Sequence, residues 1–579
     1  MAIEKKMKFM DKSEIVKILN EIGMMLEIKG ESFFKSKAYY DAAREIELMG
    51  DDIETLVKED RLKDKKGFGK ALSKKVSELV STGHLQYYEE LKNSVPPGLL
   101  EMLKIPGLGP KRIKMIYDKL GISTIEELKA ACIENNLIKI PGFGEKTQKK
   151  ILEGIDNLIK YSGQHYFKDA KILSQEIMEA LKKQKSVTRL SEAGSLRRKK
   201  EIVKDIDLLA SSANPEEVMN VFTSHPLVMQ VVSSGSTKSS VQLKGGIAAD
   251  LRVVKDNEYP YALHHFTGSK EHNTALRHIA KENGLKINEY GVFQNNELIK
   301  CETEEDIFKI FGMSYIPPEL RENNGELQAA KDGKLPVLVE HKDIKGIFHI
   351  HTLYGDGINT IDELAEACIK KGYAYMGITD HSRSAYYAGG LKEEDIKIQH
   401  DEIDKLNKKY GHSGFKIFKG IELDILPDGS VDYDEKTLSL FDFTIASIHS
   451  ALNMDEERMT KRVIEAMKNK YVKILGHPTG RLLLLREPIK ININEIIKTA
   501  AEENVVIEIN SNPYRMDLDW RYCKQAKEAG CKFIISPDAH SIEGINDVEY
   551  GVNIARKGWL EKENIINMVN AEKILKMMK

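Results

Sequence analysis

The sequence predicts a chain of several domains: an α-helical N-terminal part, an α+β unit in the middle and a distorted β/α barrel at the C-terminus. Three observations carry this reading. Residues 1–160 place apolar side chains at helical spacing, as in Ile15, Ile18, Leu19 and Ile22. From about residue 165 to 255, strand-like runs alternate with helical ones. Beyond residue 341, short apolar runs recur, each ending in His, Asp or Glu and separated by helical stretches, the pattern of a barrel whose strand ends converge on one mouth.

Composition sets wider bounds. A chain of 579 residues, 41% of them hydrophobic, is long enough for several cores. The net charge of −2 hides a split, because residues 1–318 carry 50 Lys and Arg against 46 Asp and Glu, while the remainder carries 37 against 43. Phosphate binding therefore has to come from local patches in the front part. Five cysteines, Cys132, Cys301, Cys368, Cys523 and Cys531, have no metal-type spacing and suit reduced thiols in a cytoplasmic protein. No apolar run approaches a membrane-spanning length, and the charged start lacks a secretory apolar region, so no membrane partner is expected.

In the helical part a Gly-x-Gly turn occurs three times, at Gly67 and Gly69, at Gly107 and Gly109, and at Gly142 and Gly144, each ahead of a helix. Glycines there let backbone N–H groups at a helix start approach a phosphate, and a following cation such as Lys111 adds charge without reading a base. These turns resemble helix-hairpin-helix motifs, which implies DNA binding without sequence preference. The segment Phe34 to Tyr39 and the helix after Gly69 resemble the small lyase domain of repair polymerases. That resemblance implies a Schiff-base role for Lys75, with Lys35 lowering its pKa, although another pocket lysine of that family is here Ala71.

The middle unit carries the sharpest signal. Gly194-Ser195 is followed by Asp205-Ile206-Asp207 and then by Asp250. In a strand, residues i and i+2 share a face, so Asp205 and Asp207 present paired carboxylates while Ile206 and Leu208 turn inward. Convergent hard oxygen ligands suit Mg²⁺, or Mn²⁺, in a metal-dependent nucleotidyl transfer, with Ser195 and Arg198 meeting phosphates. The pattern Gly194-Ser195-Leu196-Arg197-Arg198, Asp205-Ile206-Asp207 and Asp250-Leu251-Arg252 resembles the palm of the family X DNA polymerases. The resemblance continues through His264-His265-Phe266-Thr267-Gly268-Ser269, Asn273, Arg277 and the stretch from Gly284 to Tyr290. It implies that Asp205, Asp207 and Asp250 are catalytic metal ligands, and that Phe266 and Gly268 lie beside the incoming sugar. It also sets Asn273 at the nascent base pair and Arg277 at the template. Vertebrate members place Tyr where this chain has His265.

The C-terminal runs end in His349 and His351, Asp380 and His381, Glu422, His449, His477, and Asp538 and His540. Asp380 aside, they supply with Asp356 nine candidate ligands, six imidazoles and three carboxylates, a mixture that fits Mn²⁺, Zn²⁺ or Fe²⁺. The series resembles the polymerase and histidinol phosphatase (PHP) superfamily. That implies three divalent metals: one held by His349, His351, Glu422 and Asp538; a second sharing Glu422 with His449 and His477; a third held by Asp356, His381 and His540. Phosphoester hydrolysis is the reaction such a site implies.

Domain boundaries are expected as 1–82 (lyase-like, helix-hairpin-helix), 83–162 (helix-hairpin-helix), 163–255 (palm), 256–318 (nucleotide-selecting), 319–340 (a polar linker along the surface) and 341–579 (PHP phosphoesterase). The resemblance implies a monomer that fills short gaps in gapped or nicked duplex DNA from dNTPs. Its barrel would act on DNA 3′ ends as a 3′–5′ exonuclease, a 3′-phosphatase or an abasic-site endonuclease. An alternative reading makes the front half an inactive DNA-binding scaffold that delivers the barrel's nuclease or phosphatase; the intact three acids argue against it.

Overall fold

The computed structural model describes residues 12–49, 53–65 and 67–578; the charged first residues lie outside them. The chain forms two compact units, Met1–Ser162 and Gly163–Lys579. Among the described residues no helix is long and apolar enough to cross a membrane. All five cysteines are free and buried.

The first unit is helical. Helices Lys12–Ile28, Phe33–Leu48, Lys70–Thr82, Pro110–Leu120 and Glu145–Lys160 turn their apolar stripes onto one core that includes Leu19, Ile22, Val76, Ile113, Ile116 and Ile151. Gly67, Gly107 and Gly142 adopt φ of +87°, +82° and +89°, a region that an L side chain enters only with strain.

The second unit begins with a five-stranded sheet. Its strands are β1 (Val187–Glu192), β2 (Asp205–Ser212), β3 (Val228–Ser234), β4 (Lys238–Leu243) and β5 (Ala248–Val254), in the order β1-β2-β5-β4-β3. Strands β2 and β5 are parallel; every other pairing is antiparallel. Alternation along β2 buries Ile206 and Leu208 behind the sheet, against Ala170, Ile177 and Leu181 of helix Phe167–Lys182 among others. Helices Tyr259–Thr267 and Lys270–Glu282 follow, with a three-stranded antiparallel sheet over residues 285–299.

The third layer is a parallel sheet of seven strands: β6 (Gly346–Ile350), β7 (Tyr375–Ile378), β8 (Lys416–Asp424), β9 (Phe443–Ser447), β10 (Ile474–Leu475), β11 (Val506–Asn510) and β12 (Phe533–Ser536), in chain order. It nearly closes, because His351 N–H donates to the Ala539 carbonyl at 2.8 Å and Ala539 N–H to that of His349 at 3.0 Å. The strands are buried on both sides, as parallel strands wrapped by helices must be.

Two features differ from the sequence expectation. Residues 319–340 are no surface strap. A helix at Glu326–Lys331 buries Glu326, Leu327 and Ala330, and Arg321 is fully buried with its Nη1 on Glu304 at 2.7 Å. Gly and Pro in that segment mark turns between short helices; Glu319, Arg321, Glu322 and Glu326 pair with residues outside it, while Lys331, Asp332, Lys334 and Glu340 face solvent. The barrel also shares one apolar core with the five-stranded sheet. The Phe167 and Tyr550 rings meet edge to face at 6.1 Å, as do those of Tyr166 and Tyr514 at 4.8 Å.

Candidate active sites

The β2/β5 register sets Asp207 beside Asp250 across the parallel pair, and Asp205 lies two residues back on the same face. The three carboxylates therefore share one face of the interior strands β2 and β5, toward the edge where β2 begins. Burial, then Asp205 and Asp250, pushes the Asp207 carboxyl up to about 6, and burial with Asp250 raises Asp205. Lys238 reaches Asp250 at 3.2 Å, which leaves three acids with too little positive charge among them. A hard divalent cation fits that donor set.

The turn at Gly194 completes the edge. Gly194 has φ of +56°, and a Cβ on it would lie 2.0 Å from Asp207 Oδ2. Only glycine lets the short helix Gly194–Arg197 begin against that carboxylate. A cleft of about 660 Å³ opens here, lined by Asp205 and Asp207 and by all of Ser195, Arg198, Phe266, Gly268, Asn273 and Arg277. Its size suits a small ligand. Asn273 is pinned by donating Nδ2 to the His265 carbonyl at 2.8 Å, and the Arg252 guanidinium sits over the Phe266 ring at 4.4 Å. Arg277 is exposed at the rim.

Arg198 is more committed than the sequence suggests. Its Nε pairs with Glu322 at 3.0 Å and its Nη1 donates to the Thr267 carbonyl at 2.6 Å. Glu322 also accepts from the buried Lys557, whose Nζ donates to the Arg198 carbonyl at 3.0 Å. Burial lowers Lys557 to about 8. Arg197 is held by Glu304. Nearby, Glu201 accepts from the Trp520 indole N–H at 3.1 Å and pairs with Arg521 at 2.8 Å, so both the sheet and the barrel grip this turn.

In the barrel, all nine expected ligands gather at the C-terminal strand ends. Glu422 on β8 lies among His349 Nε2 (3.2 Å), His381 Nδ1 (2.9 Å), His449 Nε2 (3.3 Å) and His477 Nε2 (3.0 Å). Asp538 reaches His349 at 3.4 Å and His351 at 3.3 Å. Asp356 reaches His351, His381 and His540 at 3.5, 3.7 and 3.5 Å. These contacts form four groups of three or four ligands, each compact enough to surround an ion. The Nε2 atoms of His349 and His351, Nδ1 of His381 and Oε2 of Glu422 are buried with no hydrogen-bond partner, which fits donors aimed at metals. His349 and Asp538 hold left-handed φ of +59° and +54°, strain concentrated at the site. Against the pull of burial, Glu508, Asp538 and Glu422 hold His349 well above the ordinary imidazole range.

Several site residues carry no sequence motif. Glu508 accepts from His349 Nδ1 at 2.6 Å and from the His477 N–H at 2.7 Å, and Asp424 holds His449 Nδ1. Such partners fix the ring orientation of metal-binding histidines. Arg515 lies 3.7 Å from Asp538. Asp380, which adjoins His381, is instead consumed by Thr352 and Gln399.

In the N-terminal unit, Gly69, Gly109 and Gly144 cap the starts of their helices, and open space surrounds each hairpin glycine where a Cβ would point. Lys111 Nζ lies 5.4 Å from the Phe33 ring centre. Lys75 donates to the Tyr39 hydroxyl at 2.7 Å and sits 3.1 Å over the Tyr87 ring; burial, then Lys35, lowers its pKa. Lys35 itself pairs with Glu31 at 3.3 Å.

Comparison with known proteins agrees along the chain. Residues 10–85 match the helix-hairpin-helix domain, 99–157 the SAM-like helix-hairpin-helix tandem, 262–322 the DNA polymerase beta thumb and 348–512 the PHP domain. The chain is 40% identical over 562 residues to the DNA polymerase/3′-5′ exonuclease PolX of Bacillus subtilis (strain 168), covering 96% of this chain and 97% of that one. A probable phosphatase of Thermoanaerobacter sp. (strain X514) is 29% identical over 236 residues, 38% of this chain and 88% of its own length. One of Clostridium acetobutylicum is 26% identical over 247 residues, 40% and 93%.

Proposed function

Because the chain belongs to the family X DNA polymerases that carry helix-hairpin-helix motifs and a C-terminal PHP domain, we propose that it fills short gaps in duplex DNA and hydrolyses 3′-terminal phosphodiesters of DNA. The observation that supports this reading is the coexistence of two candidate metal centres in one unit, the carboxylates of Asp205, Asp207 and Asp250 on adjacent strands and the imidazole-rich barrel mouth with its nine candidate ligands. Divalent ions, when bound at these centres, would lower the pKa of a bound water or hydroxyl and neutralise phosphate charge. Asp205, Asp207 and Asp250 would hold Mg²⁺ or Mn²⁺. The imidazole-rich barrel would hold three ions of Mn²⁺, Zn²⁺ or Fe²⁺.

The chain's own groups do the rest. Ser195, Arg198, Phe266, Gly268, Asn273 and Arg277 all line the cleft; in this reading the first two would meet phosphates, the next two the incoming sugar, Asn273 the nascent base pair and Arg277 the template. Hairpin amides at Gly67, Gly69, Gly107, Gly109, Gly142 and Gly144, with Lys111, hold backbone phosphates of gapped or nicked duplex. Lys75, desolvated between Tyr39 and Tyr87, supports removal of a 5′-deoxyribose phosphate by Schiff-base chemistry. Buried free thiols suit a reducing cytoplasm, where the chain would act as a monomer.

The test is a one-nucleotide-gapped duplex incubated with full-length protein, with and without dNTPs. Asp250→Ala is expected to lose extension and keep 3′ trimming; Asp538→Ala is expected to do the reverse. Normal extension by Asp250→Ala overturns the polymerase assignment, and trimming by Asp538→Ala overturns that of the barrel. Borohydride trapping of a pre-incised abasic duplex by wild type, lost in Lys75→Ala, tests the lyase.

The probable phosphatases matched across the barrel favour a second reading, removal of a 3′-phosphate. Release of inorganic phosphate from a 3′-phosphorylated gap would select it over exonucleolysis.

A further inference from the structure

Two tyrosines beside the barrel mouth have no role in holding the fold. Tyr386 and Tyr387 are 86% and 65% exposed, in a short 3₁₀ turn at Tyr386–Ala388. Adjacent exposed rings beside a candidate site present apolar faces to a ligand. The Tyr387 ring lies 6.4 Å from that of the candidate ligand His381.

The turn that carries them is fixed. Ser384 N–H donates to Asp432 at 2.6 Å, and Ser384 Oγ donates at 3.0 Å to Asp424, the carboxylate that orients His449. Leu391 N–H closes the loop onto the His381 carbonyl at 2.9 Å. Ala385 and Ala388 are buried, and a Cβ on Gly390 would meet the Ser382 carbonyl at 2.1 Å. The backbone is tied down on every side except the one that displays the two rings.

We propose that Tyr386 and Tyr387 form a stacking platform that receives the unpaired terminal nucleobases of a single DNA strand and so delivers its 3′ end to the barrel; this rests on the barrel's hydrolysing DNA, as proposed above. The rings stand 6.3 Å apart at 77°. Bases in a duplex lie parallel and stacked, so a paired end cannot face both rings. Two successive bases that have left the stack can, one against Tyr387 beside the metal ligands and the next against Tyr386 further out. Every base has a π-face, so the platform reads no sequence. It selects a nucleic-acid end with bases over a small phosphoester.

The test uses full-length protein and a single strand with 2-aminopurine as its 3′-terminal base. Wild type is expected to quench the 2-aminopurine by stacking, with or without added metal, and Tyr386→Ala/Tyr387→Ala to abolish the quenching. With Mn²⁺, the double variant is expected to raise KM for 3′ nucleotide release roughly tenfold to a hundredfold at nearly unchanged kcat. Tyr387→Phe, which keeps the ring, should behave as wild type. On a strand whose last two residues are abasic, wild type and the double variant should cleave alike. An unchanged KM in the double variant, or no quenching by wild type, overturns the platform. Quenching without cleavage of any DNA counts against the hydrolytic reading alone and leaves the platform standing. Both side chains are exposed, so the alanines leave the barrel's core intact.

Discussion

Gly194 and Asp207 touch: the glycine Cα faces the carboxylate so closely that a Cβ would stand 2.0 Å from Oδ2. Gly194→Ala must therefore displace either the Asp207 carboxylate or the turn carrying Ser195, and it strains φ as well. Displacements of this size cost on the order of 100-fold in rate. Nucleotide incorporation should fall by at least about that factor, while 3′ trimming by the barrel stays at the wild-type rate. Equal incorporation by wild type and variant in a primer-extension assay would show that the contact does not position the acid.

The acid cluster predicts a stability cost. The folded pKa of Asp207, about 6, exceeds the ordinary 3.8. A raised pKa means that its favourable contribution is present below about 3.8 and is lost as pH rises through 6. In metal-free protein, Asp207→Asn should thus raise stability at pH 7 to 8 by roughly 1–3 kcal/mol. The gain should vanish below pH 4. Saturating Mg²⁺, which relieves the same repulsion in wild type, should shrink it. Melting curves across pH decide the sign.

Glu322 joins the buried Lys557 to Arg198. Glu322→Gln leaves both cations without their shared counter-charge, and breaking a buried pair costs roughly 3–5 kcal/mol. Urea denaturation should move to a lower midpoint, and dNTP KM should rise because Arg198 lines the cleft. Residues 341–579 alone should lose cooperative folding, since their core continues into Phe167, Ile177 and Leu181. A sharp, wild-type-like transition from that fragment would contradict the shared core.

Backbone recognition by the hairpins predicts salt dependence. Lys111→Ala with Lys146→Ala, which follows Gly144 as Lys111 follows Gly109, should weaken binding to all duplex sequences alike and reduce the slope of log K against log salt by roughly 2. Arg112 is the poorer choice, because its Nη1 is spent on the Gly107 carbonyl at 2.8 Å. Fluorescence anisotropy over a salt series measures both quantities; a sequence-selective loss would point to base contacts instead.

The sequence by itself determined whatever depends on residue type at short spacing. Asp205 and Asp207 share a face because a strand alternates, and the nine candidate barrel ligands are readable because metal chemistry admits few donor types and strand ends place them regularly. The hairpin glycines are legible because φ near +85° at Gly67, Gly107 and Gly142 restricts the choice of residue. Only the tertiary structure decided pairings between distant segments. Lys557 meets the Arg198 carbonyl across 359 positions, and His349 meets Glu508 across 159. A lysine or glutamate carries no local mark of such a partner. For the same reason residues 319–340 look like a polar linker in sequence, yet fold inward: Arg321 and Glu326 are solvated charges until Glu304 and His272 are brought beside them. The grip of the barrel on the turn after Gly194, through Trp520 and Arg521 at Glu201, is likewise a product of packing. Desolvation turns those ordinary polar residues into obligatory partners, and desolvation exists only once the chain has folded.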